Sequence, residues 1–392
     1  MSKGISLDAR ESGRFLLVDA LRGFAAFIVV LFHVWHKNIS PILDIELPRP
    51  FEHVVRLGNM GVPIFFVLSG FVIAHSVFGR HISPGYFGRF IVRRSLRLDP
   101  AYWASIALAI ATLALSGLIL RQPGIELPSL TDIAIHLVYL QEILGVPEIV
   151  GVYWTLCYEV QFYLVFVAFL GLAQYLSGKG EDAKIGSLGA VIFTALWCVS
   201  LLMASGYLEC PRGLFLDRWF QFFAGTAAYW AYRGYIPTWT LVAVLAGTLG
   251  LTPNVDAVQV QVTVVLTAGL LFSTARSGQI FSVSCGRAVQ MLGAISYSLY
   301  LTHMLVGCRV ARFGVERYPH MGLPSAVALM AFSTLVSIAF ALVFYWAIER
   351  PSMVWSRSIP LVPRKAQPAS PPTVVGLANG ESSEALAPRL VP

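Results

Sequence analysis

Arg22 and His33 stand eleven residues apart in an otherwise apolar stretch, Phe15–His36. A helix turning about 100° per residue brings them within roughly 20° of eclipse, on one face and about 16 Å apart along the axis. They cannot touch, but they can line one cavity at two depths. Asp19, three residues before Arg22, is spaced to pair with it. Charge inside a membrane span is costly, which makes each such residue a candidate for function. The plainer alternative is a snorkelling or structurally paired Arg22 and an interfacial His33.

Three further groups carry chemistry. Arg89, Arg93, Arg94 and Arg97 precede Asp99-Pro100. Several guanidiniums at one membrane face can hold a phosphate-bearing cosubstrate by bidentate hydrogen bonds, or can simply set topology and meet lipid headgroups. Glu159 lies in an apolar run rich in aromatics, from Tyr153 and Trp154 to Tyr163. It can act as a proton acceptor or as a structural partner of an intramembrane arginine such as Arg22. Ser296, Tyr300 and His303 fall at i, i+4 and i+7, beside Tyr297. Hydroxyls and an imidazole on one helical face make either a polar pocket wall or interhelical hydrogen bonds. Pro63 and Ser69-Gly70 allow a kink and close packing in the second apolar run.

The elements that must position these residues are membrane helices. Of 392 residues only 12% are charged, about half the roughly 25% usual in soluble domains, and 56% are apolar. Mean hydropathy is +0.69. A soluble globular enzyme, a disordered chain and a nucleic-acid binder are excluded. The net charge of +7 is better explained by basic loops that orient membrane helices. A span needs about 20 largely apolar residues. That criterion gives an all-α, polytopic transmembrane bundle of about ten helices. They fall near Phe15–His36, Met60–Phe78, Pro100–Leu120, Trp154–Ser177 and Ser187–Tyr207, then Trp219–Tyr235, Pro237–Leu251, Val258–Arg276, Ala288–Arg309 and Pro324–Glu349.

Lysine and arginine concentrate on alternate connections, which places both termini in the cytoplasm. The chain then divides into a cytoplasmic N-terminus (1–14), a membrane domain (15–351) and a Pro- and Ser-rich, disordered cytoplasmic tail (352–392). The five cysteines are scattered without metal-like or disulfide-like spacing, and no metal site is expected. No GxSxG elbow, P-loop or HExxH motif is present.

Taken in order, these segments resemble the acyltransferase-3 family of integral membrane O-acyltransferases. Asp19-Ala-Leu-Arg22-Gly23 with His33 matches its hallmark of a basic residue, ten intervening residues and a histidine. Val67-Leu-Ser69-Gly70-Phe71-Val72, Arg93-Arg94-Ser-Leu-Arg97-Leu-Asp-Pro100 and Trp154-Thr-Leu-Cys-Tyr-Glu159-Val-Gln161-Phe-Tyr163 resemble further family segments. Ser296-Tyr297-Ser298-Leu-Tyr300-Leu-Thr-His303 and Glu349-Arg350-Pro351 resemble the two closing motifs. Ala20 stands where the family often has glycine.

The resemblance implies transfer of an acyl group, commonly acetyl, from acyl-CoA to a hydroxyl of a saccharide or related cell-surface or secreted acceptor, in the inner (plasma) membrane. The expected partners are the bilayer, acyl-CoA as cosubstrate with no tightly bound cofactor, and a carbohydrate or glycolipid, with an oligomer or a periplasmic partner also open. It implies catalytic roles for His33, Arg22 and Glu159. His33 would be general base or acyl-accepting nucleophile, Arg22 would polarise a carbonyl or hold a phosphate, and Glu159 would orient a histidine or balance Arg22. Arg93, Arg94 and Arg97 would bind acyl-CoA. Asp19, Ser69, Trp154, Tyr297, Tyr300 and His303 would support the pocket. The competing reading is a transporter or flippase of a lipid-linked saccharide, with Arg22, Glu159 and His33 along its path.

Overall fold

The computed structural model describes residues 15–120, 127–177, 187–250, 255–283 and 285–361. The N-terminal segment 1–14 and residues 362–392 of the tail lie outside the described residues. The described chain is helical, with no strand among the described residues. In order come α1 (Leu16–Val34), α2 (Arg49–Arg56), α3 (Gly61–Val77), α4 (Pro84–Leu120), α5 (Leu130–Leu137), α6 (Trp154–Leu176) and α7 (Ser187–Ala204). They are followed by α8 (Trp219–Tyr232), α9 (Thr238–Gly250), α10 (Val255–Arg276), α11 (Arg287–Ala294), α12 (Ser296–Thr302), α13 (Gly307–Arg317), α14 (Leu323–Phe344) and α15 (Arg350–Arg357).

Six helical segments among the described residues are long and apolar enough to cross a bilayer: Leu16–Leu43, Arg49–Val77, Pro84–Leu115, Trp154–Leu176, Ala257–Arg276 and Leu323–Arg357. Gly189–Ala204 and Thr238–Gly250 are shorter apolar helices. Large apolar side chains such as Leu266, Leu335, Val343 and Trp346 face outward. Only lipid makes that arrangement favourable, because a helix in hydrocarbon satisfies its own backbone and has no need to hide its apolar face. The chain is a multi-pass membrane protein.

Three departures from the sequence expectation bear on the site. The arginine segment is already helical: α4 begins at Pro84, so Arg89 to Arg97 project from the same rod as the span. The single helix expected over Ala288–Arg309 is broken into α11, α12 and α13. Ile295 leaves helical geometry (φ −94°, ψ 5°), and the chain turns again between His303 and Gly307. At the end of α14, Tyr345–Glu349 forms a π turn before α15. Such a turn inserts a residue into the helical register and re-aims side chains, and these turns concentrate at functional sites. Helix α15 also runs past the membrane-domain boundary drawn at residue 351, so the segment up to Arg357 is ordered helix, not tail.

Two glycine crossings hold the central helices at backbone distance. A Cβ on Gly70 of α3 would lie 1.8 Å from the Phe222 carbonyl oxygen of α8, and one on Gly225 would lie 1.9 Å from the Val67 carbonyl oxygen. Gly293 of α11 packs in the same way on the Asp19 carbonyl of α1. Without a hydrophobic drive between helices in lipid, this close approach is a main source of association. Gly70→Val is expected to destabilise the bundle by at least about 2 kcal/mol, because rigid backbone cannot yield to the added side chain. The thermal unfolding midpoint in detergent reads this. Gly88→Ala, where an added Cβ meets nothing within 4 Å, should leave the midpoint unchanged or slightly raised.

Candidate active site

Helix α1 places Arg22 and His33 in two adjoining cavities. Arg22 enters a central cavity whose walls also carry Ser69, Arg94, Arg97, Glu159, Ser296, Tyr297 and Tyr300. His33 and Trp154 line a second cavity of about 730 Å³. The two share Val62, Phe66 and Tyr300 as a common wall. At its other end the central cavity shares Val72, Arg94 and Arg97 with a mouth of about 870 Å³ that adds Arg93 and Arg357. Most sequence-expected residues therefore line three adjoining cavities. Asp19 lines none of these three cavities; its carbonyl is the seat for Gly293.

The arginine end is strongly cationic. Arg22, Arg93, Arg94, Arg97 and Arg357 line the mouth and central cavity, against one carboxylate, Glu159. Arg94 stacks its guanidinium 4.2 Å above the Tyr163 ring, while its buried Nε has no hydrogen-bond partner among the described residues. Burying a guanidinium donor without an acceptor is costly, and an anionic ligand at this wall would satisfy it. Arg89, by contrast, is spent on the Leu361 carbonyl at 3.1 Å and does not enter the cavity.

Glu159 is held by a neighbouring hydroxyl. It accepts a hydrogen bond from the Ser69 hydroxyl at 2.5 Å, across the α3–α6 contact. The ion pairs among the described residues include none between Glu159 and Arg22. Tyr297 donates to the Leu98 carbonyl at 3.2 Å. Tyr300 bonds Thr155 at 2.8 Å, which fixes the shared wall between α12 and α6.

His303 lies behind the cavity wall. It is fully buried, and its Nε2 lies 3.4 Å from His33 Nδ1. Its own Nδ1 is 2.8 Å from the Tyr300 carbonyl, and a carbonyl only accepts, so that nitrogen carries the proton. His303 Nε2 then presents a lone pair to His33. The Val29 carbonyl is 2.9 Å from the same His33 nitrogen. Two acceptors thus converge on His33 Nδ1–H and leave the lone pair of His33 on Nε2. No hydrogen bond among the described residues uses that Nε2.

Two residues at or beside the cavities were not among the expected site residues. Glu349 emerges from the π turn, buried, and accepts from both the backbone N–H and the hydroxyl of Ser298. Its carboxylate feels the charges of Arg22 and Arg97. A glutamate at the end of a long apolar run was the available signal. Arg218 lines the His33 cavity with its Nε 3.1 Å from Asp217 Oδ2. Burial raises the Asp217 carboxyl above its ordinary value, and Arg218 beside it pulls in the opposite direction.

A row of arginines and an oriented imidazole, in adjoining cavities of a membrane bundle, fit acyl transfer from an anionic donor. The family model for an acyltransferase domain matches residues 16–346. The chain belongs to the acyltransferase-3 family. Three relatives match along most of their own length. The chain is 26% identical over 372 residues to nodulation protein 10 of Rhizobium leguminosarum bv. viciae, covering 86% of this chain and 92% of that protein. It is 24% identical over 368 residues to acyltransferase MdmB of Streptomyces mycarofaciens, covering 86% and 91%. It is 28% identical over 328 residues to the exopolysaccharide production protein ExoZ of Rhizobium meliloti (strain 1021), covering 76% and 90%. No solved structure matches the chain. As an acyltransferase-3 member it is an enzyme that moves acyl groups other than aminoacyl groups.

Proposed function

We propose that this acyltransferase moves an acyl group, acetyl in the simplest case, from acyl-CoA to a hydroxyl of a saccharide acceptor at the opposite end of the bundle. It would act in the inner (plasma) membrane with both termini in the cytoplasm. The observation that carries this reading is the shared wall. The arginine-lined cavity and the His33 cavity meet at Val62, Phe66 and Tyr300, so a donor anchored by arginines can present a thioester beside the imidazole.

Arg94 and Arg97 hold the anionic part of acyl-CoA, with Arg93 and Arg357 at the mouth. Arg22 belongs to the same clamp. It is about 16 Å along the α1 axis from His33, too far to stabilise the oxyanion formed there. His33 Nε2 takes the proton from the acceptor hydroxyl as its oxygen attacks the thioester carbonyl. The C–S bond then breaks, and the proton passes from His33 to the departing thiolate, giving ester and free CoA. Glu159, fixed by Ser69, and Glu349, fixed by Ser298, offset the arginine charge. His303 positions His33 and stabilises the imidazolium through Nε2, as a carboxylate does in a hydrolase triad.

His303→Ala is expected to lower kcat by about 10- to 100-fold, from the loss of one orienting hydrogen bond, with KM for acyl-CoA nearly unchanged. His303→Gln, whose amide oxygen can accept the same hydrogen bond, should recover part of the loss. A radiolabel assay of acetyl transfer by purified protein reads both variants. Equal, complete loss in both variants with intact thermal unfolding would argue against the positioning role. Consumption of acetyl-CoA without label on the glycan would argue against the acyl-transfer reading.

A further inference from the structure

Past His33 the second cavity adjoins a vestibule, with Phe32 and Asn59 lining both. Its walls carry His36, Lys37, Glu46, Glu52, His53 and Arg56. Glu52 is the fixed point. Its Oε1 receives Arg56 Nε at 3.0 Å and lies 3.5 Å from His36 Nε2. Its Oε2 is buried, with no hydrogen-bond partner among the described residues. A buried carboxylate oxygen without a donor is expensive, and a ligand hydroxyl supplies the missing bond.

The charge balance separates this end from the other. The vestibule sets Lys37 and Arg56 against Glu46 and Glu52, and the cavity leading to it sets Arg218 against Asp217. The mouth and central cavity at the opposite end carry five arginines against Glu159 in their lining and Glu349 packed behind it. A polyanion is drawn to the arginine end and gains nothing in the vestibule. Mixed acids and bases at short spacing suit a ligand that donates and accepts through many hydroxyls and bears no charge of its own.

We propose that the vestibule is the acceptor site and that its occupant is a neutral polyhydroxylated segment. Glu52 Oε2 accepts one hydroxyl of that segment while a neighbouring hydroxyl reaches His33 Nε2. The proposal rests on the acyl-transfer reading for the role of His33, but its test does not.

Saturation-transfer NMR on the purified protein in nanodiscs, without acyl-CoA, measures the binding of cellotetraose and of trigalacturonic acid. Saturable binding of cellotetraose is expected, with trigalacturonic acid at least about fivefold weaker. Glu52→Gln should weaken cellotetraose about tenfold through loss of a charge-assisted hydrogen bond, while acetyl-CoA binding is unchanged. Because Glu52→Gln also breaks the pair with Arg56, Arg56→Gln is the second variant: it removes the pair, keeps the carboxylate and should weaken cellotetraose clearly less than Glu52→Gln does. Equal binding by wild type and Glu52→Gln overturns the proposal. So does trigalacturonic acid binding as tightly as cellotetraose, or no saturable binding of either sugar. A wild type that binds cellotetraose but transfers no acyl group would remove the acyl-transfer reading and leave the vestibule standing. Transfer by a wild type that binds neither sugar would do the reverse.

Discussion

His33→Ala is expected to lower kcat by about 10²- to 10⁴-fold, the usual contribution of a positioned general base, without unfolding the protein. The ring makes its recorded hydrogen bonds through Nδ1, to the Val29 carbonyl and His303, and lines a cavity of about 730 Å³. Truncation therefore enlarges existing space and severs few packing contacts, so the thermal midpoint should move little. The partner left behind, His303 Nε2, becomes a buried acceptor without its donor, a cost of about 1–3 kcal/mol that sets the upper limit of destabilisation. The general base acts only when neutral, so wild-type activity should fall as pH drops through the imidazole range and the residual activity of His33→Ala should lack that limb. Rapid-quench mass spectrometry would show a transient acyl adduct on His33 if the imidazole were instead a nucleophile. Direct transfer gives none.

Arg94→Ala and Arg97→Ala are expected to raise KM for acyl-CoA by roughly 10- to 100-fold each, the loss of one or two charge-assisted hydrogen bonds to phosphate. The more telling readout compares acetyl-CoA with acetyl-pantetheine, which lacks the nucleotide phosphates. Wild type should strongly prefer acetyl-CoA, and that preference should collapse in the arginine variants. Lysine is not an equivalent replacement at position 94. The guanidinium stacks on Tyr163 at 4.2 Å, and a lysine keeps the charge but loses the planar stack and the bidentate fork. Arg94→Lys is therefore expected to fall between wild type and alanine.

Part of this site was legible before the fold. The eleven-residue separation of Arg22 and His33 put them on one face of α1, and the structure has both lining the chain of cavities. Helical spacing is local, and so is the cost of charge in an apolar run. The chain's place in the acyltransferase-3 family was legible for a related reason, because the motifs are local and ordered. What stayed hidden depends on tertiary contact. The Ser69–Glu159 bond joins residues 90 positions apart, and His303 meets His33 across 270. Ser296, Tyr300 and His303 keep their helical spacing along α12 and its C-cap, so their shared face was legible, while the seat of His303 against the α1 imidazole was not. Glu349 was visible as part of the closing Glu349-Arg350-Pro351 segment, but its bond to Ser298, 51 positions away, was not, and the π turn that aims it breaks the 3.6-residue register that sequence periodicity assumes.

The scarce charge of this chain therefore has two ends to serve. Proteoliposomes separate them. Protein reconstituted in one orientation, with labelled acetyl-CoA only on the side of the arginine mouth and the glycan only on the other, should place the label on the glycan. His33→Ala vesicles should leave it unlabelled. Label on the glycan only when donor and acceptor share one side would contradict the arrangement of two adjoining cavities. Unmodified glycan crossing the membrane with no acetyl-CoA consumed would point to a flippase.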